Sequence, residues 1–171
     1  AGKGFVGLHS TCNSWAMPGP AYENVANLDP FLAMLGAQFI AHGPQQKAML
    51  RVTSPHFPGV DGLGGSFALL EEWYAMKNFA KDLHVILVQE TEGMQGECYQ
   101  RPPFPSTWAR MQGQGRVFFT SLAHNEDVWE GKPMQPIVMG GLAWALGNVQ
   151  ADVKPNIDQV TPHAGILKGT A

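Results

Sequence analysis

The stretch Leu83-His84-Val85-Ile86-Leu87-Val88-Gln89 sets Val85, Ile86, Leu87 and Val88 side by side with no polar residue between them. A strand wetted on one face alternates apolar with polar residues, whereas a strand covered on both faces reads as a continuous apolar run. The segment is therefore predicted as the central strand of a sheet lying between two other layers. Gly4-Phe5-Val6-Gly7-Leu8 has the same character, as does Arg116 to Ser121, which is entered through Gly113-Gln114-Gly115. Ala48-Met49-Leu50-Arg51-Val52 adds a further predicted strand.

Between these strands, Tyr22 to Leu35 places Val25, Leu28, Phe31, Leu32 and Leu35 at helical spacing, with Asp29-Pro30 opening its second half. A second helix is expected from about Pro136 to Leu146, stopped by Gly147. Prolines and glycines mark Ser14 to Gly19, Ser54 to Gly65 and Pro102 to Pro105 as loops or turns, and Phe67 to Tyr74 fits either regular structure. Buried strands separated by helices predict an α/β domain over residues 1–147, with a doubly wound, mostly parallel sheet in a flavodoxin-like three-layer arrangement. Such a sheet offers its ligand site at the carboxyl ends of the strands. Residues 148–171 lose periodicity and carry Pro155, Pro162 and Gly165, so they are expected to form a tail that either wraps the domain or moves free of it.

The chain has 171 residues, 44% of them hydrophobic, which suits one domain with a substantial core. Charged residues make up 15% and the formal net charge is −3, so there is no basic field to hold nucleic acid or an anionic membrane. The longest apolar runs, Leu83 to Val88 and Met139 to Leu146, fall far short of the roughly 20 residues of a membrane-spanning helix. The expected partner is a small molecule, and a homo-oligomer is compatible with this composition. Cys12 and Cys98 lack metal-ligand spacing and are read as free thiols. The opening Ala1-Gly2-Lys3-Gly4 runs straight into a strand without the pattern of a signal peptide, so the chain is expected to begin in mid-domain. Its compartment stays open between bacterial cytoplasm and periplasm.

Four segments carry a resemblance. They are Gly4 to Ser10, then Leu35-Gly36-Ala37-Gln38-Phe39-Ile40-Ala41-His42, then Glu71-Glu72-Trp73-Tyr74, and finally Pro105 to His124 continuing through Trp129 and Gly140 to Gly147. The last contains Trp108, Arg110, the run Gly113 to Leu122, and His124. Together they resemble the ThuA-like (trehalose-utilisation) family, a relative of the class I glutamine amidotransferase-like fold, over residues 1 to about 147. The resemblance implies that fold without amidotransferase activity, because His9 stands where those enzymes carry a nucleophilic cysteine on a tight strand-to-helix turn. It implies an action on trehalose and related disaccharides, including oxidised ones, and it implies that at least one N-terminal β-α unit, of roughly 30 residues, lies outside this chain. The sequence departs from the family at Ala123, where glycine usually precedes the histidine.

His9 and His124 each follow a predicted buried strand, which brings two imidazoles to one edge of the sheet, where either could serve as general acid or base or merely cap a helix. Ser10 could touch a sugar hydroxyl or act as an N-cap, the latter being favoured. His42 joins the site or covers an edge. Glu72, beside Trp73 and Tyr74, offers a carboxyl group that apolar surroundings could keep protonated, with Glu71 as the other holder of that role and a solvated face as the plainer reading. Trp73, Tyr74 and Trp129 are either stacking platforms for a sugar or core residues. Three histidines and a carboxylate also satisfy the ligand chemistry of a divalent metal such as zinc, although no His-x-x-x-His spacing supports it and no other cofactor is indicated.

The expected catalytic set is thus His9, His124 and Glu72, with Ser10, His42, Trp73, Tyr74 and Trp129 around the substrate. With the resemblance, they predict acid-base processing of a disaccharide, glycoside or keto-sugar by a hydrolase or lyase. The other reading is a noncatalytic sugar-binding module.

Overall fold

The computed structural model describes residues 2–169. The strands are β1 (Gly4–Leu8), β2 (Gln38–His42), β3 (Gln46–Val52), β4 (Ser66–Glu71), β5 (Tyr74–Lys77), β6 (His84–Gln89), β7 (Phe104–Gln112) and β8 (Gly115–Thr120). The helices are α1 (Pro30–Leu35), α2 (Glu126–Glu130), α3 (Met134–Ala145) and α4 (Ile157–Val160). Six strands form one sheet in the order β1-β8-β7-β6-β3-β4, and β2 pairs with β5 in a separate ribbon. As its composition requires, β6 lies inside the sheet with Val85 to Gln89 buried.

The expectation of a doubly wound, mostly parallel sheet is corrected. Only β1 and β8 run parallel, whereas β8-β7, β7-β6, β6-β3 and β3-β4 are all antiparallel. The decisive element is β7, the longest strand. It returns into β8 through the tight turn Gly113-Gln114, and a turn that short joins only antiparallel neighbours. It has no purely apolar run because it buries Ser106, Thr107 and Arg110. Each finds a partner across the sheet or on a helix: Ser106 Oγ lies 2.9 Å from Ser121 Oγ, and Thr107 Oγ1 lies 2.8 Å from Thr120 Oγ1. Arg110 donates to the carbonyl of Met34 and, at 2.9 Å, to Asp82.

Helices do cover both faces of this mixed sheet. Trp108 and its register partner Phe119 pack with ring centres 4.5 Å apart, and Trp108 Nε1 donates to the Leu35 carbonyl at the end of α1. Phe118 points to the opposite face, since side chains alternate along a strand, and there it lies against Gly141 of α3. The predicted helix from Tyr22 shrinks to α1. Asp29 caps it by accepting from the Phe31 amide, and the residue before a proline is held out of helical geometry. The segment ahead of α1 is tied down instead by Asn78, whose side chain bonds both the amide and the carbonyl of Val25. Asn156, beyond α3, similarly brackets Val85, and Arg101 donates to the Ala164 carbonyl, so the tail lies against the sheet as far as it is described.

α3 crosses the loop at Pro58-Gly59 so closely that a Cβ on Gly140 would sit 1.9 Å from the Pro58 carbonyl oxygen. Backbone cannot yield by that much without moving the helix. Gly140→Ala is therefore expected to lower the unfolding free energy by about 2 kcal/mol, read as a reduced denaturant midpoint at unchanged slope.

Candidate functional site

At the end of β1 the chain turns into a single 3-10 turn, His9–Asn13, with His9 at φ 40, a conformation rare outside glycine. Thr11 holds this elbow. Its hydroxyl accepts from the Leu8 amide at 2.9 Å and donates to the Leu8 carbonyl at 2.7 Å, so the cap expected of Ser10 is made by Thr11, and Ser10 is exposed. β8 lies beside β1 in parallel register, Leu8 opposite Thr120, so the two chains leave the sheet at the same level. That is what brings His9 and His124 together, with ring centres 5.1 Å apart.

Glu72 arrives from the other end of the sheet order, immediately after β4. Glu71, fully buried, makes the connection. One of its oxygens accepts from the Glu72 amide at 2.8 Å, and the other accepts from the amides of Ala123 at 3.0 Å and His124 at 3.3 Å. The sheet therefore curls until the segments after β4 and β8 meet. Glu71 is thus engaged through both oxygens with backbone amides. Alternation at the end of a strand sends adjacent glutamates to opposite sides, and the fold decides which of the two meets the histidines.

Within the cluster, the His9 ring donates from Nδ1 to the Ser121 carbonyl at 2.8 Å and points Nε2 at Glu72 Oε2, 3.3 Å away. His124 Nδ1 lies 3.2 Å from the same oxygen, and His42 Nδ1 lies 3.6 Å from Oε1 while donating to the Gly43 carbonyl at 3.0 Å. With Nδ1 of His9 committed as a donor, a neutral ring would oppose its Nε2 lone pair to a carboxylate lone pair. The pair is attractive only with a proton or another cation between them. His9 and Glu72 side chains are 10% and 14% exposed, whereas His42 and His124 stand at the surface at 45% and 39%. Among the described residues, His9, Glu72 and His124 are the one group of His, Cys, Asp and Glu side chains with three ligand atoms all within 4.8 Å of one another.

The aromatic residues divide. Tyr74 forms the floor, its ring centre 3.9 Å from that of His9, and burial together with the nearby Glu72 carboxylate pushes its phenol above the ordinary value. Trp129 remains at the rim, 39% exposed, donating to the Ala123 carbonyl. Trp73 is corrected from a sugar platform to core: it is buried and donates to the Gln46 carbonyl at 2.7 Å. Cys12 is buried, burial drives its thiol well above the usual range, and it donates to the His9 carbonyl, so it supplies no thiolate to the elbow.

Ala123 departs from helical and extended geometry with φ 96, a region in which a Cβ is strained. Ala123→Gly is expected to stabilise the fold by about 1 kcal/mol, since relief of backbone strain outweighs the added freedom of the unfolded chain. The check is a rise in melting temperature of roughly 2–4 °C.

A model of the family described as ThuA, trehalose utilisation, matches residues 1–145. A solved ThuA-like protein from Bacteroides uniformis is similar with a TM-score of 0.60 and 20% identity, over 84% of this chain and 58% of that one. Another from Parabacteroides merdae is similar with a TM-score of 0.58 and 19% identity, over 89% of this chain and 63% of that one. The chain thus spans less than two thirds of the length of either, and at such identity the likeness is one of fold. No curated protein matches the sequence.

Proposed function

The chain belongs to the ThuA, trehalose utilisation, family, and from that premise we propose that it processes a carbohydrate, a disaccharide, glycoside or keto-sugar, by acid-base chemistry at His9, Glu72 and His124. The observation that carries this reading is a single carboxylate facing three imidazoles, two of which open to solvent. The largely enclosed Glu72-His9 pair is suited to hold one proton, and the exposed His124 and His42 are suited to pass protons to or from substrate oxygens. On a keto-sugar, removal of the proton beside the carbonyl by this pair, with a rim histidine protonating the departing glycosidic oxygen, would give elimination. On a simple glycoside the same groups would assist hydrolysis. Trp129 offers an apolar ring face at the rim, and the residues just past His124 line, with Gln45 and Leu70, a cleft of about 380 Å³. No described helix is long and apolar enough to cross a membrane.

A noncatalytic sugar-binding module is favoured by one observation, that the elbow carries His9 and a buried Cys12 in place of an available nucleophile. His9→Ala separates the two readings when assayed for product formation and for binding of trehalose, related disaccharides and their 3-keto forms. Loss of turnover at unchanged sugar affinity supports catalysis. An unaltered rate removes His9 from the mechanism.

A further inference from the structure

We propose that His9 Nε2, Glu72 Oε2 and His124 Nδ1 form a binding site for a divalent transition-metal cation. The inference deepens the reading of this cluster as the reactive centre and rests on geometry that does not depend on the sugar. Three donors converge. The separations from Glu72 Oε2 are 3.3 Å to His9 Nε2 and 3.2 Å to His124 Nδ1. Metal-to-donor distances of about 2.0–2.2 Å place neighbouring ligand atoms roughly 2.9–3.5 Å apart in tetrahedral or octahedral geometry. Both separations from Glu72 Oε2 fall in that window, and the three donor atoms all lie within 4.8 Å of one another, so adjustment of the side chains would bring them onto one cation.

The chemistry of the donors agrees with the spacing. His9 can ligate only through Nε2, because Nδ1 donates to the Ser121 carbonyl, and a ring whose other nitrogen is held by a backbone carbonyl is the usual arrangement for a metal-bound imidazole. Glu71 acts one step further out, since its carboxylate grips the amides of both Glu72 and His124 and so sets the separation of two ligands from different strands. Two imidazoles and one carboxylate favour zinc, cobalt, manganese or iron over magnesium and calcium, which prefer all-oxygen sets. Three protein ligands leave coordination positions open on the side where His42 and His124 reach solvent. A bound cation supplies Lewis-acid polarisation of a substrate oxygen there. His42, which donates to Gly43 and lies outside the ligand set, is then the imidazole left for proton transfer.

The test is calorimetric titration of chelator-stripped protein with zinc and with cobalt, alongside melting curves and the visible spectrum of the cobalt form. The expected result is one ion per chain, a melting temperature raised by roughly 5–10 °C at a hundredfold excess over the dissociation constant, and a cobalt absorption band. His9→Ala and His124→Ala should each weaken binding more than tenfold. Glu72→Gln, which keeps the side chain's shape, should do so while the metal-free melting temperature stays within a few degrees of the parent. His56→Ala, in the loop at Ser54 to Gly65, should leave binding unchanged. Absence of saturable binding, or binding that survives both His9→Ala and Glu72→Gln, overturns the proposal. Sugar turnover by the stripped protein with no metal bound at any concentration would reject the metal and keep the acid-base reading, whereas stoichiometric metal without any sugar effect would keep the metal and reject the sugar.

Discussion

Glu72→Gln is expected to lower turnover of a sugar substrate by about a hundredfold to ten-thousandfold, the largest effect of any conservative change in this chain. The amide has the shape of the carboxylate, so Tyr74, His9 and His124 can keep their positions. It cannot take up a proton, and it cannot neutralise a cation held between the imidazoles. Its NH2 group can instead donate to His9 Nε2, which satisfies the ring while removing its function. Melting temperature should therefore move little, because the side chain touches solvent and replaces one polar contact by another. The measurement is the steady-state rate on keto-disaccharides beside a thermal melt of the same preparation. A rate within threefold of the parent would show that Glu72 carries no proton or metal in the reaction.

Glu71→Ala is expected to cost about 3 kcal/mol of stability, through the loss of one fully buried carboxylate that satisfies the amides of Glu72, Ala123 and His124. For a chain of this length that corresponds to a fall in melting temperature of roughly 6–12 °C. Function should fall with it. Without the carboxylate the segments after β4 and β8 keep only the contact between the Glu72 and His124 side chains, whose separation is then no longer fixed by the backbone. Glu71→Gln should be intermediate, because its amide oxygen can replace one acceptor but its NH2 opposes the remaining donors. A loss below about 1 kcal/mol for the alanine variant would mean that water enters and takes over the three bonds.

These two glutamates show where reading the sequence succeeds and where it stops. Adjacent in the chain, they are chemically identical, and their roles separate only because one points into the protein and the other toward the histidines. The strands at His84–Gln89 and Gly115–Thr120 were legible because burial on both faces demands uninterrupted apolar residues, whereas Gly4–Leu8 shows such a run although it lies at the edge of the sheet with only Gly7 buried. The end of the last long helix was legible for a similar reason, since Gly147 takes φ 83, which other residues avoid. β7 was not legible as a strand, because Ser106, Thr107 and Arg110 look like surface residues until their partners on β8 and near α1 are known. The direction of the sheet was hidden with it.

The sequence by itself determined the layered α/β class, the family, and the pairing of His9 with His124, because each depends on residue types at short range or on a recognisable run of them. Only the tertiary structure decided that the sheet is mostly antiparallel, that Trp73 is core, and that Glu71 is buried on backbone amides while the expected Glu72 and His42 lie within 3.6 Å of each other beside the two histidines. Those outcomes rest on contacts between segments about 30 to 110 residues apart. A curled sheet brings such segments together through hydrogen bonds that no local pattern of residues encodes.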